Sequence, residues 1–219
     1  MKTIYFVRHG ESEVNVQNYK YGDEKSPLTV RGREQAERIA KRCAKLPIDI
    51  IITSTMLRAQ ETGAAIAREN PVPVEESDLL KERKSPSTLL GTDRYQEPLL
   101  SKRDAWLRSF YVENERIEDG ENFLLVRERA GKALEYLAKR PENNILVVAH
   151  GFILRTMLAR VIFGDSVNTE ELKQTMLRLR MENTGISMLH YDPDGREQYD
   201  NMRVSGWSVR VWNDHEHLG

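Results

Sequence analysis

The sequence contains one cysteine, Cys43, and its formal net charge is only −1. A single cysteine excludes an intramolecular disulfide framework and a cysteine-based zinc cluster. The near-zero charge gives no reason to expect nucleic acid or an anionic membrane as the main partner, so any cationic function must be local. No apolar stretch approaches the roughly 18 residues that a membrane helix needs, and no signal peptide is visible. We therefore expect a cytoplasmic protein.

What is present suits a soluble globular protein with an ample core. The chain has 219 residues, of which 39% are hydrophobic and 31% are charged. This length favours one α/β domain spanning residues 1–219. Cys43 falls within a helical apolar pattern, so we expect it in the core.

Short apolar runs alternate with amphipathic patterns through the first two thirds of the chain. The runs predict strands over residues 3–8, 49–54 and 144–149. Apolar residues recurring every 3–4 positions predict five main helices: Thr29 to before Pro47, a helix capped by Ser54 or Thr55, Asn122 to before Pro141, Ile153 to Gly164, and Thr169 to Leu177. This alternation predicts a three-layer α/β/α fold with a mostly parallel central sheet. Two late strands, 185–191 and 207–212, are compatible with an antiparallel edge.

Residues 84–121 are the least regular part of the chain. Pro86, Gly91, Pro98 and Gly120 interrupt a helix expected around residues 103–112. The segment is too short and too polar for a core of its own. We therefore expect an insertion over the face of the domain that carries the site.

Three of the predicted strands are followed by side chains that suit an anion. Arg8-His9-Gly10 follows the first strand, Arg58 lies one turn into the helix after the second, and His150-Gly151 follows the third. The carboxyl ends of parallel strands meet at one edge, where ligands of such sheets bind. Arginine's planar fork suits phosphate oxygens, and free amides at helix N-termini add to the attraction. Each residue alone is more often structural, but together they predict a phosphate site. Because Gly10 has no side chain, a ligand could approach this site closely.

These residues resemble the motifs of the histidine phosphatase superfamily, in the branch that resembles cofactor-dependent phosphoglycerate mutase. The matches run in the family's order along almost the whole chain. They are Arg8-His9-Gly10-Glu11-Ser12 with Asn15, Pro27-Leu28-Thr29 with Gly32, Gln35 and Ala36, Ser54 with Arg58-Ala59 and Thr62, Glu82-Arg83, Gly120-Glu121, Ala149-His150-Gly151, and Asn213-Asp214 with His217-Leu218.

The resemblance implies a role for each matched position. His9 would be the nucleophile that becomes phosphorylated, and Glu82 would be the general acid for the leaving alcohol and then the base for water. Arg8, Arg58 and His150 would hold the phosphoryl oxygens with help from Asn15. Gly151 and Arg83 complete the expected phosphate- and substrate-binding set. A bound phosphate dianion would keep Glu82 protonated, and the resemblance implies neither a metal nor a cofactor.

Three functions are consistent with this pattern. The leading one is a phosphomonoesterase acting on a phosphorylated small molecule. The second is a phosphoglycerate mutase, which uses the same residues but returns the phosphoryl group to the substrate. Val14 and the run Glu82 to Pro86 depart from the mutase pattern, which has tryptophan at the first place and Glu-Arg-His-Tyr-Gly at the second. The third is a non-catalytic phosphate-binding module on the same fold.

Several other polar residues have a structural and a functional interpretation. Glu11 and Glu13 flank the site and are expected to make structural contacts. His215-Glu216-His217 has the composition of a metal site, but histidines at a terminus are usually solvated. Lys81, Arg83 and Lys84 would either recognise a second anionic group or form a solvated face. Substrate specificity is expected from residues 17–25 and 84–121, and apolar residues in the late strands are compatible with a homodimer.

Overall fold

A computed structural model describes residues 1–16, 24–92, 97, 99–195, 198–199, 202–203 and 205–219. The helices are α1 Glu13–Val16, α2 Val30–Cys43, α3 Leu57–Glu69, α4 Leu99–Ser109, α5 Phe123–Lys139, α6 Gly151–Phe163 and α7 Thr169–Arg178. The strands are β1 Lys2–Arg8, β2 Ile50–Ser54, β3 Val74–Ser77, β4 Asn144–Ala149, β5 Ile186–Asp192, β6 Gln198–Tyr199, β7 Met202–Arg203 and β8 Gly206–Asp214.

Six of these strands form one sheet in the order β3-β2-β4-β1-β5-β8. The first four are parallel, whereas β5 and β8 run antiparallel to their neighbours. The predicted mostly parallel sheet with an antiparallel edge is therefore confirmed. The short strands β6 and β7 pair with each other in a separate hairpin that the sequence did not predict.

The sheet is covered on both faces because its central strands are apolar at successive positions. Ile52 and Val147 face a core shared with α5 and α6. Ile51 and Val148 face the opposite core, shared with α2 and α3. Cys43 is fully buried in that second core, and burial raises the pKa of its thiol to about 12. Both the three-layer architecture and the core position of Cys43 are as predicted.

The register of the central strands brings the site residues to one edge. Arg8 at the end of β1 is paired with Ala149 at the end of β4, and Thr53 of β2 is paired with Val148 of the same strand. The residues that follow these three strands therefore lie side by side. This placement confirms that the two histidines and Ser54 share one edge of the sheet.

Some predicted boundaries and caps are wrong. The N-cap of α3 is Met56, which has no capping side-chain bond, so neither Ser54 nor Thr55 caps this helix. The helix within the 84–121 segment is α4, which begins and ends a few residues before the predicted 103–112. Within the described residues, no helix has the length and apolarity needed to cross a membrane.

Gly10 serves the packing of the backbone. A Cβ at Gly10 would lie 2.5 Å from the carbonyl oxygen of Gly32, and a Cβ at Gly32 would lie 1.8 Å from the carbonyl oxygen of Glu11. The loop after β1 and the start of α2 can approach this closely only because both residues lack a side chain. The packing of α2 thus requires glycine at position 10, and the close approach of a ligand there stays a prediction.

Candidate active site

His9 lies directly after β1 and is 3% exposed. Its Nδ1 is 2.6 Å from the carbonyl oxygen of Gly10. A carbonyl only accepts, so Nδ1 carries the proton and the lone pair is left on Nε2. Burial, together with the charges of Arg58 and Arg8, holds the pKa of His9 well below its ordinary value. The ring is therefore a neutral imidazole whose Nε2 carries the lone pair, the form required of a nucleophile.

His150 lies beside His9, with ring centroids 5.0 Å apart. It follows β4 and is fully buried. Its Nε2 is hydrogen-bonded to Ser54 Oγ at 2.8 Å, whereas its Nδ1 is buried without a hydrogen-bond partner among the described residues. Burial and the proximity of His9 and Arg58 lower the pKa of His150 well below its usual range. An unpartnered buried nitrogen is costly and needs an explanation such as a ligand.

Two arginines flank these histidines. Arg58 is 5% exposed, and its Nε lies 3.3 Å from His9 Nε2, to which it donates. Arg8 donates from Nη1 to the carbonyl oxygen of Met181, while its buried Nε has no hydrogen-bond partner in the described part of the chain. Burial lowers the pKa of Arg8. We call Arg8, His9, Arg58 and His150 the strand-end cluster.

Glu82 places a carboxylate at the N-terminus of α6, next to this cluster. Its Oε2 accepts the backbone N–H of Phe152 at 3.2 Å, and its Oε1 accepts those of Ile153 at 3.3 Å and Arg83 at 3.0 Å. The first N–H groups of a helix have no intrahelical acceptor, so they are available to the carboxyl oxygens of Glu82. Glu82 also lies close enough to Arg8 to favour its charged form. The carboxylate is thus held at the edge of the cluster.

Asn15 and Gly151, both predicted binding residues, also lie at the cluster. Asn15 lines a pocket together with Arg8, His9 and Arg58, and its Oδ1 accepts hydrogen bonds from the backbone N–H and the hydroxyl of Ser12. Gly151 begins α6, and a Cβ there would lie 3.4 Å from Arg8 Nε. Gly151 thus lies next to the Arg8 guanidinium.

Arg83 is placed differently from the other predicted binding residues. Its Nε donates to the carbonyl oxygen of Glu121 at 2.9 Å, and its Nη2 donates to that of Trp106 at 2.8 Å. The guanidinium carbon lies 4.2 Å from the ring centroid of Trp106 and 4.6 Å from that of Phe110. These contacts connect Arg83 to Trp106, Phe110 and Glu121 of the 84–121 segment. A substrate-binding role for Arg83 stays a prediction.

Sequence reasoning missed the role of one residue that supports the cluster and missed two others altogether. Ser54, expected at this edge but taken for a helix cap, binds His150 instead. Asn183 donates from Nδ2 to the carbonyl oxygen of His9 at 2.8 Å. It lies just before β5, whose antiparallel pairing with β1 brings the two segments together, so the predicted edge strand was the available signal.

The third missed residue is Arg129 of α5, which holds the backbone on both sides of Glu82. It donates to the carbonyl oxygens of Leu79 at 3.1 Å, Lys81 at 2.6 Å and Glu82 at 3.3 Å. Both carboxylate oxygens of Glu121 accept from its guanidinium, at 2.8 and 2.7 Å. Such a planar, forked pair fixes geometry in a way that lysine could not. Nothing in the pattern of α5 distinguishes Arg129 from the other charged residues of that helix.

Three members of the strand-end cluster, Arg8, His9 and Arg58, line a pocket of about 720 Å³. Residues 84–121 contribute Lys84, Ser85, Leu90, Trp106 and Glu121 to its lining, as expected of the segment over the site. Of the predicted specificity loop, residues 17–23 lie outside the described residues, whereas Glu24 and Lys25 line the pocket. The pocket is therefore large enough for more than a phosphate group.

Glu11 and the C-terminal histidines make structural contacts. Glu11 accepts a hydrogen bond from Thr29 Oγ1 at 2.8 Å and lies 3.6 Å from the guanidinium of Arg31. His217 is half-buried between Thr184, at 3.0 Å, and Arg42, at 3.3 Å. Burial, then the charge of Arg42, lowers the pKa of His217 to about 4. The described residues contain no group of three or more metal-ligating side chains placed to hold an ion.

Comparison with known proteins decides the family. Residues 4–201 match the model of the histidine phosphatase superfamily, branch 1. The chain belongs to the histidine phosphatase superfamily. A relative from Enterobacter sp. (strain 638), named "Probable phosphoglycerate mutase GpmB", is 30% identical over 223 residues, covering 100% of this chain and 95% of its own length.

Two solved structures share the fold of this chain. YhfR of Bacillus stearothermophilus superposes with a TM-score of 0.80 at 25% identity and full coverage of both chains. The alpha-ribazole phosphatase of Shigella flexneri superposes with a TM-score of 0.76 at 23% identity, covering 97% of this chain and 96% of its own. The expected phosphoglycerate mutase-like fold is confirmed.

Proposed function

We propose that this member of the histidine phosphatase superfamily is a phosphomonoesterase that works through a phosphohistidine on His9. The observation that carries the proposal is the state of that ring. Nδ1 is committed to the Gly10 carbonyl at 2.6 Å, which leaves Nε2 as the nucleophile. The buried, unpartnered nitrogens of Arg8 and His150 support an oxyanion ligand beside it, within the described part of the site.

The first step transfers the phosphoryl group to the protein. His9 Nε2 donates its lone pair to phosphorus as the ester P–O bond breaks, and Glu82 gives its proton to the departing alkoxide. Arg8 and Arg58 stabilise the charge that spreads over the equatorial oxygens. The products are the alcohol and the Nε2-phosphohistidine.

The second step reverses these roles. Water attacks phosphorus as the N–P bond breaks, and the Glu82 carboxylate accepts the proton of that water. Phosphate leaves, His9 returns to the neutral Nδ1-protonated form, and Glu82 is again protonated. The bonds that Glu82 accepts from the α6 amides hold the carboxyl group in place throughout both steps.

Phosphoglycerate mutase is the second candidate. The name of the Enterobacter relative, 30% identical over the whole chain, favours it. The two reactions share the phosphohistidine and differ in whether water or a second substrate hydroxyl receives the phosphoryl group. Incubation with 3-phosphoglycerate separates them, because isomerisation faster than phosphate release would favour the mutase.

The proposed nucleophile is tested by trapping. Protein quenched in alkali during turnover of ³²P-labelled substrate should retain an acid-labile label on His9. His9→Ala should carry no label and lose at least about 10³-fold in turnover of p-nitrophenyl phosphate. His215→Ala is the matched control, since His215 is exposed and outside the pocket. Undiminished turnover in His9→Ala would refute the proposal, and absence of turnover in the intact protein would favour the non-catalytic module.

A further inference from the structure

Arg8, His9 and Arg58 of the strand-end cluster are only part of the pocket lining. We use the name body half for the lining side chains other than those of the cluster and of Asn15, Glu82, Arg83, Glu121 and Arg129, because under the proposed function they would contact the alcohol part of the substrate. Its described lining residues combine apolar side chains with charged ones. They are Val14, Glu24, Lys25, Met56, Asp78, Lys81, Lys84, Ser85, Leu90 and Trp106.

Lys81 is held between two carboxylates in the body half. Its Nζ lies 3.0 Å from Glu24 Oε1 and 3.0 Å from Asp78 Oδ1. Asp78 also accepts a hydrogen bond from Thr55 Oγ1 at 2.6 Å, and the bonds from Thr55 and Lys81 lower its pKa. Asp78 is therefore ionised at neutral pH, and Glu24 and Asp78 balance the charges of Lys25 and Lys81.

The other cations of the predicted basic run are also committed. Lys84 Nζ forms an ion pair with Asp119 at 2.9 Å. Arg83 donates to two backbone carbonyls and lies over Trp106 and Phe110. The run therefore adds no excess positive charge to the described lining of the body half, although its sequence had suggested a second anion site.

We propose that the substrate is a phosphate monoester whose alcohol part carries no second anionic group. This inference rests on the proposed function and names the substrate class of the same site. An uncharged body can pack its apolar surface on Met56, Leu90 and Trp106, and its hydroxyl groups can donate to Glu24 and Asp78. Among the described lining residues, a carboxylate would lose water without meeting a cation that lacks a partner, and it would face the two carboxylates.

Matched substrates test this selectivity. Glycerol 3-phosphate and 3-phosphoglycerate differ mainly by a carboxylate, and so do benzyl phosphate and 4-carboxybenzyl phosphate. We expect kcat/KM of the intact protein to be at least about tenfold higher for the uncharged member of each pair. Equal or higher kcat/KM for the carboxylated members would overturn the proposal.

Two variants test the cause of the selectivity. Asp78→Asn or Glu24→Gln releases Lys81 from one carboxylate and should raise kcat/KM several-fold for the carboxylated substrates only. Glu24→Gln is the second variant because it leaves the bond between Thr55 and Asp78 intact. Glu76→Gln is the matched control, since Glu76 lies on β3 outside this pocket. A carboxylate penalty that neither variant reduces would refute the assignment to Glu24 and Asp78.

Failure of the proposed function has a different signature. Without it, neither member of any pair is hydrolysed and no label is trapped on His9. If the label is trapped but carboxylated esters are preferred, only the substrate class is wrong.

Discussion

The strand-end cluster and the body half differ in whether their positively charged or nitrogen-bearing side chains are paired within the protein. In the strand-end cluster, Arg8 and His150 each keep a buried nitrogen that lacks a hydrogen-bond partner among the described residues. In the body half, Lys81 and Lys84 are both paired with carboxylates, with N–O distances of 2.9–3.0 Å. A buried nitrogen without a hydrogen-bond partner is costly in the free protein, whereas a paired charge is not. This difference indicates that the strand-end cluster, and not the body half, binds an anion.

The largest expected effect is the contrast between removing one cation from the strand-end cluster and removing one from the body half. Arg58→Ala should lower kcat for p-nitrophenyl phosphate about 10³-fold, since one preorganised donor to the transferring group is lost. Lys81→Ala should change it less than about threefold, because its charge is already neutralised. Steady-state kinetics of both variants checks the contrast, and comparable losses would remove the distinction between the cluster and the body half.

Glu82 lines the same pocket as the strand-end cluster and the body half. Its replacement tests whether it acts on the leaving group. Glu82→Gln should lower kcat about 10²-fold for benzyl phosphate, whose alkoxide needs a proton to leave. For p-nitrophenyl phosphate, with its good leaving group, the loss should stay below about tenfold. The dependence of kcat on leaving-group basicity is the measurement. An equal loss for both substrates would argue against general acid catalysis by Glu82.

Arg129 is expected to act through Glu82 as a positioning residue. Arg129→Met removes the donors to the carbonyls of Leu79, Lys81 and Glu82. It should lower kcat about tenfold for benzyl phosphate and less for p-nitrophenyl phosphate, because the general acid is displaced while the nucleophile is not. Arg127→Met, on the same helix, is the control, since Arg127 donates to Val167 instead. A loss independent of the leaving group would indicate a merely structural role.

The smallest expected effect is on the pH dependence of stability, and it comes from His217, which lies outside the strand-end cluster. Burial depresses the pKa of His217 to about 4, from 6.5. Between these values the unfolded chain binds the proton that the folded chain refuses, so stability is lost as pH falls through this range. His217→Gln should make the free energy of unfolding less dependent on pH from 6.5 to about 4, as measured by urea unfolding.

The slope that remains in His217→Gln should come partly from the cluster. His9 and His150 also have lowered pKa values. Orthovanadate should stabilise the folded protein by occupying the cluster, and it should do so equally in His217→Gln and in the unaltered protein. A weaker effect of vanadate in the variant would mean that the C-terminal segment contributes to the site.

Much of the fold could be predicted because its signals are local. The apolar runs of β1, β2 and β4 and the periodic helices are written in short windows of sequence, and the three-layer architecture followed from their alternation. The α3 cap was mispredicted because Ser54 has an alternative partner, His150, that is 96 residues away. Local propensity cannot anticipate a competing contact at that distance.

The candidate site divides in the same way. Arg8, His9, Arg58 and His150 each follow a strand end, so the parallel topology was enough to bring them together. Asn183 and Arg129 have no such marker, since they act by bonding to backbone carbonyls that only the folded chain presents. The packing role of Gly10 could not be predicted either, because the atom closest to a Cβ at that position belongs to Gly32 on α2.

The sequence by itself determined which groups meet at the carboxyl edge of the sheet, because strand ends and the residues after them are set by local pattern. Only the tertiary structure decided which charges remain available there. Lys81, Arg83 and Lys84 form a basic run in the chain, yet Glu24, Asp119 and the 106–121 segment engage them in the fold. Electrostatic pairing depends on distances of a few ångströms between residues far apart in sequence, and folding alone sets those distances.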